Sequence, residues 1–495
     1  MMKKASVRWL AMAAAAVMAC AGLAGCGGSG GPADSSAAPV SAQSDGNSTT
    51  ATEDEFNNLI TGGESTTATG DSNVSSKPGS GTTRTTTVQT TTPKAVETPQ
   101  SEEIYKSIKG TTIEIPVFAE PEEDVLARQK AFEERYSCKV HFTVYGWNDW
   151  RTKLMQLVGS KKAPDLTPVF DEQFITYVCK NVIQPIESFV DKKAPNWDPD
   201  LLSLYTWGGK LYSVATSAAP ITIYYNKDMF EDKGLEDPYK LYKAGKWDFD
   251  KFRETAKALT AYNGEKMVTI GFATWIWDVF CLANGSTGIS LEKAGQIDIT
   301  LGTQANLKGL ELIQKMVRED KSYSPALKAD SNFQAGKVGM IAERAYYAIG
   351  AYDLYNEGSF ELGWVPLPKG PNVSGEVAPA IVESFGVPVG AANPKGGMAW
   401  VYYGAVRAAQ LEQSKDPEYM ESFHKTWSDE HYGYYKDYMS RAKLVCSFIN
   451  GVGNWYPSKR WGMWEEIFEK GTPPATAVEK HKSELQYEID TLLKK

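Results

Sequence analysis

Histidine is scarce in this chain, with 4 in 495 residues, and none of the four falls in a metal-binding pattern. His424 and His431 stand seven apart, which is not the spacing that puts two imidazoles on one helical face around zinc. Cysteine is also thin, with 6 in all and no CxxC pair, so neither a zinc ribbon nor a thioredoxin-like site is expected. There is no run of Lys or Arg, and the formal charge is −9. Nucleic-acid binding needs basic contacts to phosphate, so an acidic chain of this kind argues against it. No cofactor motif stands out. The sequence GGSGG at Gly27–Gly31 fits the GxSxG nucleophile pattern in letters only, because no strand and helix flank it. Among 61 acids no motif marks the carboxylate pair of a glycosidase.

What the chain does have begins at its N-terminus. Lys3, Lys4 and Arg8 precede an apolar run from Trp9 to Ala24, too short to span a bilayer comfortably. The run ends in LAGC at Leu23–Cys26, which resembles the lipobox of bacterial lipoprotein precursors. That resemblance implies cleavage after residue 25 and a lipid on Cys26, leaving the chain on the outer face of a bacterial cell membrane. Loss of residues 1–25 removes three positive charges and takes −9 to −12. Residues 27–100 are rich in Gly, Ser, Thr and Pro and poor in large apolar side chains. They cannot bury enough surface to offset chain entropy, so residues 26–109 read as a lipidated cysteine plus a flexible tether. A coil of the 74 residues 27–100 spans roughly 45–50 Å. Cys138, Cys179, Cys281 and Cys446 remain, widely spaced, and are expected to be mostly free, buried thiols.

The folded part starts near Thr111. TTIEIPVF alternates as a strand, Pro121 opens a helix with Val125, Phe132 and Tyr136 on one face, and KVHFTVY is a second strand. Asn148 is placed to cap the next helix, and APDLTPVF gives a third strand-like run. A β-α-β-α-β order predicts an α/β domain with a parallel sheet, whose ligands bind beyond the carboxyl ends of the strands. Further along, KLYSVA, ITIYYNK, MVTIGFA and GKVGMIAE read as strands. WDFDKFRETAKALT reads as a helix capped by Asp248 with Phe252, Ala256 and Leu259 on one face, and another carries Leu307, Leu310, Ile313 and Val317. FELGWVPLPKGP reads as proline punctuation, and Val478, Leu485, Ile489 and Leu492 mark a closing helix.

Several of these segments together resemble one family. GKLYSVATSAAPITIYYNKDMFEDKGLEDP, FQAGKVGMIAE, WVPLPKGP and GTPPATAVEKHKSELQ resemble, in order, signature stretches of the bacterial extracellular solute-binding proteins of the maltose-binding type. These are receptors of ABC sugar importers, and FEERYSCKVHFTVY is similar to their first helix-to-strand passage. The resemblance covers roughly residues 111–495. It implies two discontinuous α/β lobes around a cleft with a hinge, one of residues 110–204 with 376–440, the other of 205–375 with 441–495. It implies a monomer that binds a carbohydrate, changes no covalent bond and passes the sugar to a membrane permease. A surface sensor of the same fold, or an extracellular glycan-active enzyme, are the other readings.

The resemblance also implies site residues. Tyr225, before Asn226-Lys227, would line the cleft while Tyr224 points into the sheet. Tyr346 stands where sugar-binding relatives carry a stacking Trp, and Trp461 matches a second such position. Asp171 and Glu172 supply acid after the third strand, where Val169 replaces a ring. A neutral sugar needs flat aromatic faces for its C–H patches and planar polar groups for its hydroxyl pairs. The ends of the predicted strands and the aromatic C-terminal segment add Trp147, Trp275, Trp277 and Trp455 as rings. Glu120, Glu343 and Arg344 join the polar set, with Arg344 placed either to meet the solute or to neutralise Glu343 or Glu383.

Overall fold

The computed structural model describes residues 103–494 except 105, 148, 193–196, 198, 294, 326, 346–358, 415–428, 440 and 456–458. The leader, Cys26, the tether, Asn148 and Tyr346 lie outside the described residues. Of those described, Tyr262–Val268 form a unit separate from the rest. Their chain reverses at Gly264, whose φ of 64° is a left-handed backbone that glycine adopts without a Cβ clash. The remaining described residues form the other unit.

Strand β1 (Thr112–Val117) buries Ile113 and Ile115 and exposes Thr112 and Glu114, as its alternation requires. It pairs in parallel with β2 (Lys139–Val144), in register from Thr112 opposite Lys139 to Val117 opposite Val144. The crossover is α1 (Glu123–Tyr136), which starts two residues after Pro121 and buries Val125 and Phe132. Helix α2 (Trp150–Gly159) has Asp149 at its N-cap position, without a side-chain cap bond. The third run departs from expectation. Its strand β3 (Thr167–Val169) does not extend the parallel pair but runs antiparallel to a later strand. Asp165, just before β3, ties it to β1, accepting from the Glu114 backbone at 2.9 Å while its own N–H donates to the Glu114 carbonyl. Helix α3 (Asp171–Cys179) follows β3 at once.

KLYSVA and ITIYYNK turn out not to be two strands. Lys210–Leu211 closes a short hairpin, and β4 (Ser213–Asn226) then runs unbroken for 14 residues. Helix α4 (Phe249–Leu259) is capped by Asp248, which accepts from the Lys251 N–H at 2.9 Å, and Phe252, Ala256 and Leu259 are buried. Strand β5 (Lys266–Ala273) leads to α5 (Gln304–Arg318), with Leu307, Leu310 and Ile313 inward. Next come β6 (Val338–Arg344), β7 (Leu362–Pro366) and β8 (Val377–Pro388). The proline punctuation therefore contains a strand. Leu362–Val365 bury completely against β4, and Pro366 sits at the end, where the missing N–H breaks little of the ladder.

Strands β4 and β8 are the long members of the sheet. Ser213–Pro220 of β4 pairs with β8, with a register shift between Glu383 and Ser384, while Ile221–Asn226 pairs with β6 and β7. β8 also holds β3 and Ile183–Gln184. One side of this framework is a core of Ile113, Phe132, Leu166, Val214, Val387 and Trp400, the last from α6 (Pro394–Ser414). Helices α7 (Arg460–Phe468) and α8 (Pro474–Leu493) close the chain, and Val478, Leu485, Ile489 and Leu492 are buried as their spacing predicts. Cys138, Cys179, Cys281 and Cys446 are free thiols, all but Cys179 buried. No described helix is long and apolar enough to cross a membrane.

Candidate functional site

Asp171 and Glu172 occupy the first turn of α3, where unpaired helix N–H groups favour acid. Burial pushes the Asp171 carboxyl up to about 7, and the neighbouring negative charges of Glu172 and then Asp278 add to the rise. Burial raises Glu172 as well, against the pull of Arg151. The turn Ile449–Gly451 lies against this helix start. A Cβ on Gly451 would stand 3.0 Å from the Glu172 carbonyl oxygen, and Thr176 donates its hydroxyl to the Gly451 carbonyl. Just before α3, Phe170 meets Trp147 edge-on at 5.2 Å between ring centres. Trp147 follows β2, packs edge-on against Phe118 at 4.8 Å, and is 44% exposed.

A second group comes from the loop after β5. Thr274 anchors it, donating to the Ala342 carbonyl at 3.0 Å, and the Tyr323 hydroxyl donates to the Thr274 carbonyl at 3.2 Å. Trp275 is held 45% exposed, and its indole N–H donates to Glu343. Glu343, near the end of β6, has no exposed surface. Burial raises its carboxyl, while Arg344 opposes the rise through its charge and through its backbone N–H at 2.7 Å. The Arg344 Nε lies 3.2 Å from the same carboxylate, and its guanidinium carbon is 5.4 Å from the centre of the Trp275 ring. Of the two roles open to Arg344, pairing with Glu343 is present. Trp277 lies parallel to Trp464 at 4.9 Å and edge-on to Trp461 at 4.4 Å, and Trp461 is 47% exposed.

These contacts join Trp147, through Phe170, to the helix start that carries Asp171 and Glu172, join Trp275 to Glu343 and Arg344, and join Trp277 to Trp461. Asp278, next to Trp277, comes near the helix start through Arg460, which pairs with it and bonds Asn450 in the turn that lies against the Glu172 carbonyl. Three expected residues are not brought there. Tyr225 is 2% exposed, lies against Phe230 at 5.1 Å, and donates its hydroxyl to Asp237 at 2.6 Å. Its ring covers Gly363, where a Cβ would come within 2.1 Å of it, so Tyr225 is a packing residue. Tyr224 is buried too, and donates to the Ala345 carbonyl at 2.7 Å. Trp455 has no exposed surface and belongs to the core. Glu120 is exposed on the loop after β1, and none of the contacts described above reaches it. Tyr346 cannot be placed, being outside the described residues.

Sequence reasoning passed over Asp278, Ser447 and Arg460, which join at this neighbourhood. Arg460 lies 2.8 Å from Asp278, and the Ser447 hydroxyl donates to Asp278 at 3.2 Å. Their only signal in the sequence is adjacency, Asp278 to Trp277 and Arg460 to Trp461. A separate opening of about 300 Å³ is lined by Ser203, Thr206, Gly208, Gly209, Leu291 and Glu292, none of them an expected site residue.

Residues 116–410 match the sequence profile of the bacterial extracellular solute-binding proteins. A protein of Brucella abortus (strain 2308) named as a binding protein is 25% identical over 228 residues, 43% of this chain and 52% of its own. The chain thus spans about half the length of the curated relatives it matches. An ABC substrate-binding protein of Listeria monocytogenes, solved with cycloalternan, matches with a TM-score of 0.59 at 16% identity, over 77% of this chain and 99% of that one. A cyclo/maltodextrin-binding protein solved with maltotetraose gives 0.58 at 18%, over 77% and 98%. At these identities the likeness speaks to the fold, which is the α/β type II periplasmic-binding architecture. The matched family and these structures are binding proteins. With its profile match covering more than half of the sequence, the chain belongs to the bacterial extracellular solute-binding protein family.

Proposed function

We propose that this protein captures a carbohydrate at the tryptophan and acid neighbourhood and delivers it unchanged to an ABC permease. The observation that carries the reading is the state of three indoles. Trp147, Trp275 and Trp461 are each left nearly half exposed, and a carboxylate and a guanidinium stand beside Trp275. Water gains nothing from an indole face, but the C–H face of a pyranose does. Asp171 and Glu172, both partly exposed, offer acceptors to hydroxyls, and Arg344 offers donors, while the fully buried Glu343 holds Trp275 and Arg344 in place. Such bonds strengthen when a cleft closes and water leaves. The relatives solved with cycloalternan and maltotetraose support a saccharide as the solute class.

Two lobes with boundaries near residues 204, 375 and 440 would close on the sugar. The long strands β4 and β8 support that reading, since each runs from the neighbourhood of β3 toward β6, β7 or the Lys443–Val445 strand. The lipid on Cys26, the tether and action as a monomer belong to the same proposal, with the receptor held on the outer face of the membrane beside its permease. A thermal-shift screen against mono- and oligosaccharides tests the sugar. A ligand at 100 times its dissociation constant adds about 2.7 kcal/mol of stability. If every saccharide leaves the melting point where it was, the assignment fails.

A further inference from the structure

Two charges sit directly beside two of the indoles. Asp278 follows Trp277 in the chain, and Arg460 precedes Trp461. Arg460 is only 4% exposed, so its guanidinium has left water, which is strongly unfavourable unless its donors and its faces find partners. It finds them in three directions. Asp278 Oδ2 lies 2.8 Å from one amino group, and Asn450 Oδ1 accepts from the other. One flat face lies over Trp464, 4.2 Å from the ring centre.

Trp464 in turn lies parallel to Trp277, with 9° between the planes. The contacts therefore close a circuit: Trp277 to Asp278 through the backbone, Asp278 to Arg460 by the ion pair, Arg460 to Trp464 by stacking, and Trp464 back to Trp277. Trp461 is fixed to this circuit twice, by its peptide bond to Arg460 and by its edge contact with Trp277 at 4.4 Å. An indole that is 47% exposed is not held by burial alone, so its orientation depends on what braces its neighbours. Only a planar, always charged group can serve both the carboxylate and the ring face, and lysine offers a point charge without a face.

We propose that Arg460 is a positioning residue for solute capture, its buried pair with Asp278 and its stack on Trp464 fixing the mutual orientation of Trp277 and Trp461. The functional half rests on the reading of these indoles as the sugar platform. The positional half does not.

The test uses the full chain labelled with 5-fluorotryptophan, with the Trp277 and Trp461 fluorine resonances assigned by W277F and W461F. Arg460→Met should displace both resonances while that of Trp400, in the core beside Phe132, stays in place. Arg460→Lys, which keeps a positive charge for Asp278 but has no flat face, should displace them less. If Arg460→Met does not fold, Arg460→Lys and Asp278→Asn carry the test. Resonances of Trp277 and Trp461 that match wild type in a folded variant overturn the proposal. Calorimetry with maltotetraose and mannotriose forms the second arm. Whichever sugar binds wild type should bind Arg460→Met at least tenfold more weakly, with Arg460→Lys between the two. Displaced resonances with wild-type affinity overturn the functional half. If neither sugar binds wild type, the sugar reading loses its support, and the fluorine spectra still decide the positional half.

Discussion

Replacing Tyr225 by phenylalanine separates a packing role from a binding role. The hydroxyl donates to Asp237 at 2.6 Å, and Asp237 also accepts from the Lys240 N–H at 3.0 Å to cap the helix Pro238–Lys243. A hydrogen bond to a charged group contributes about 1.5–3 kcal/mol. Asp237 is half-buried, so water replaces part of the lost bond, and a loss of about 1–2 kcal/mol is expected. At about 2.1 cal/mol/K of unfolding entropy per residue, a folded unit of this size should melt about 1–3 °C lower. The ring itself stays, because it lies across Gly363 and against Phe230. Solute affinity should therefore remain within about twofold of wild type, a change of only about 0.4 kcal/mol. The assay pairs a thermal melt with calorimetric titration of the same preparation. Unchanged melting together with a tenfold loss of affinity would show that Tyr225 faces the solute and that its burial has been misread.

Three further outcomes are expected. Asp171 has its carboxyl raised to about 7 from a usual value near 4, so the folded state holds the proton more tightly than the unfolded state. Its contribution must then fall as pH rises through the window from about 4 to about 7, by at most about 1.4 kcal/mol per pH unit. His431, pushed down to about 4 by burial, acts with the opposite sign between about 4 and 6.5, so the readout is the difference between wild type and Asp171→Asn. Equal melting-temperature slopes in the two proteins would refute the buried-acid assignment. Trp461→Ala should weaken solute binding at least tenfold with little change in melting, whereas Trp455→Ala should cost about 3–5 kcal/mol of stability. Wild-type affinity in Trp461→Ala contradicts the platform. Cys26→Ser should abolish labelling by radioactive palmitate and leave residues 1–25 uncleaved, and a variant that labels and is processed like wild type contradicts the lipid anchor.

Where one face of an element meets a single core, the sequence was readable. β1 alternates cleanly and α4 carries Phe252, Ala256 and Leu259 on one stripe, so their types followed from periodicity, whereas β2 ends on an exposed Val144. β7 was hidden because Gly363 and Pro366 mimic a loop, yet Leu362–Val365 bury on both sides. The direction of Tyr225 was not readable for a different reason. Alternation says that Tyr224 and Tyr225 face opposite ways, but both faces of β4 are covered at that point. What covers Tyr225 is Asp237 and Gly363, which only the folded chain brings there. Trp275, Glu343 and Arg344 were legible as strand-end residues, although their mutual bonds were not. Asp278 and Arg460 escaped notice because each reads as an ordinary surface charge until the two meet.

In the proposed capture, indole faces and partly exposed acids grip a saccharide and leave it chemically intact. Titration calorimetry of wild type and W275A/W461A with maltotetraose and mannotriose, followed by chromatography of the recovered sugar, tests that capture most directly. One site per wild-type chain is expected for at least one of these sugars, with no binding to the folded double variant and sugar recovered unaltered. Full affinity in the double variant, or shortened sugar in the recovered material, would contradict it.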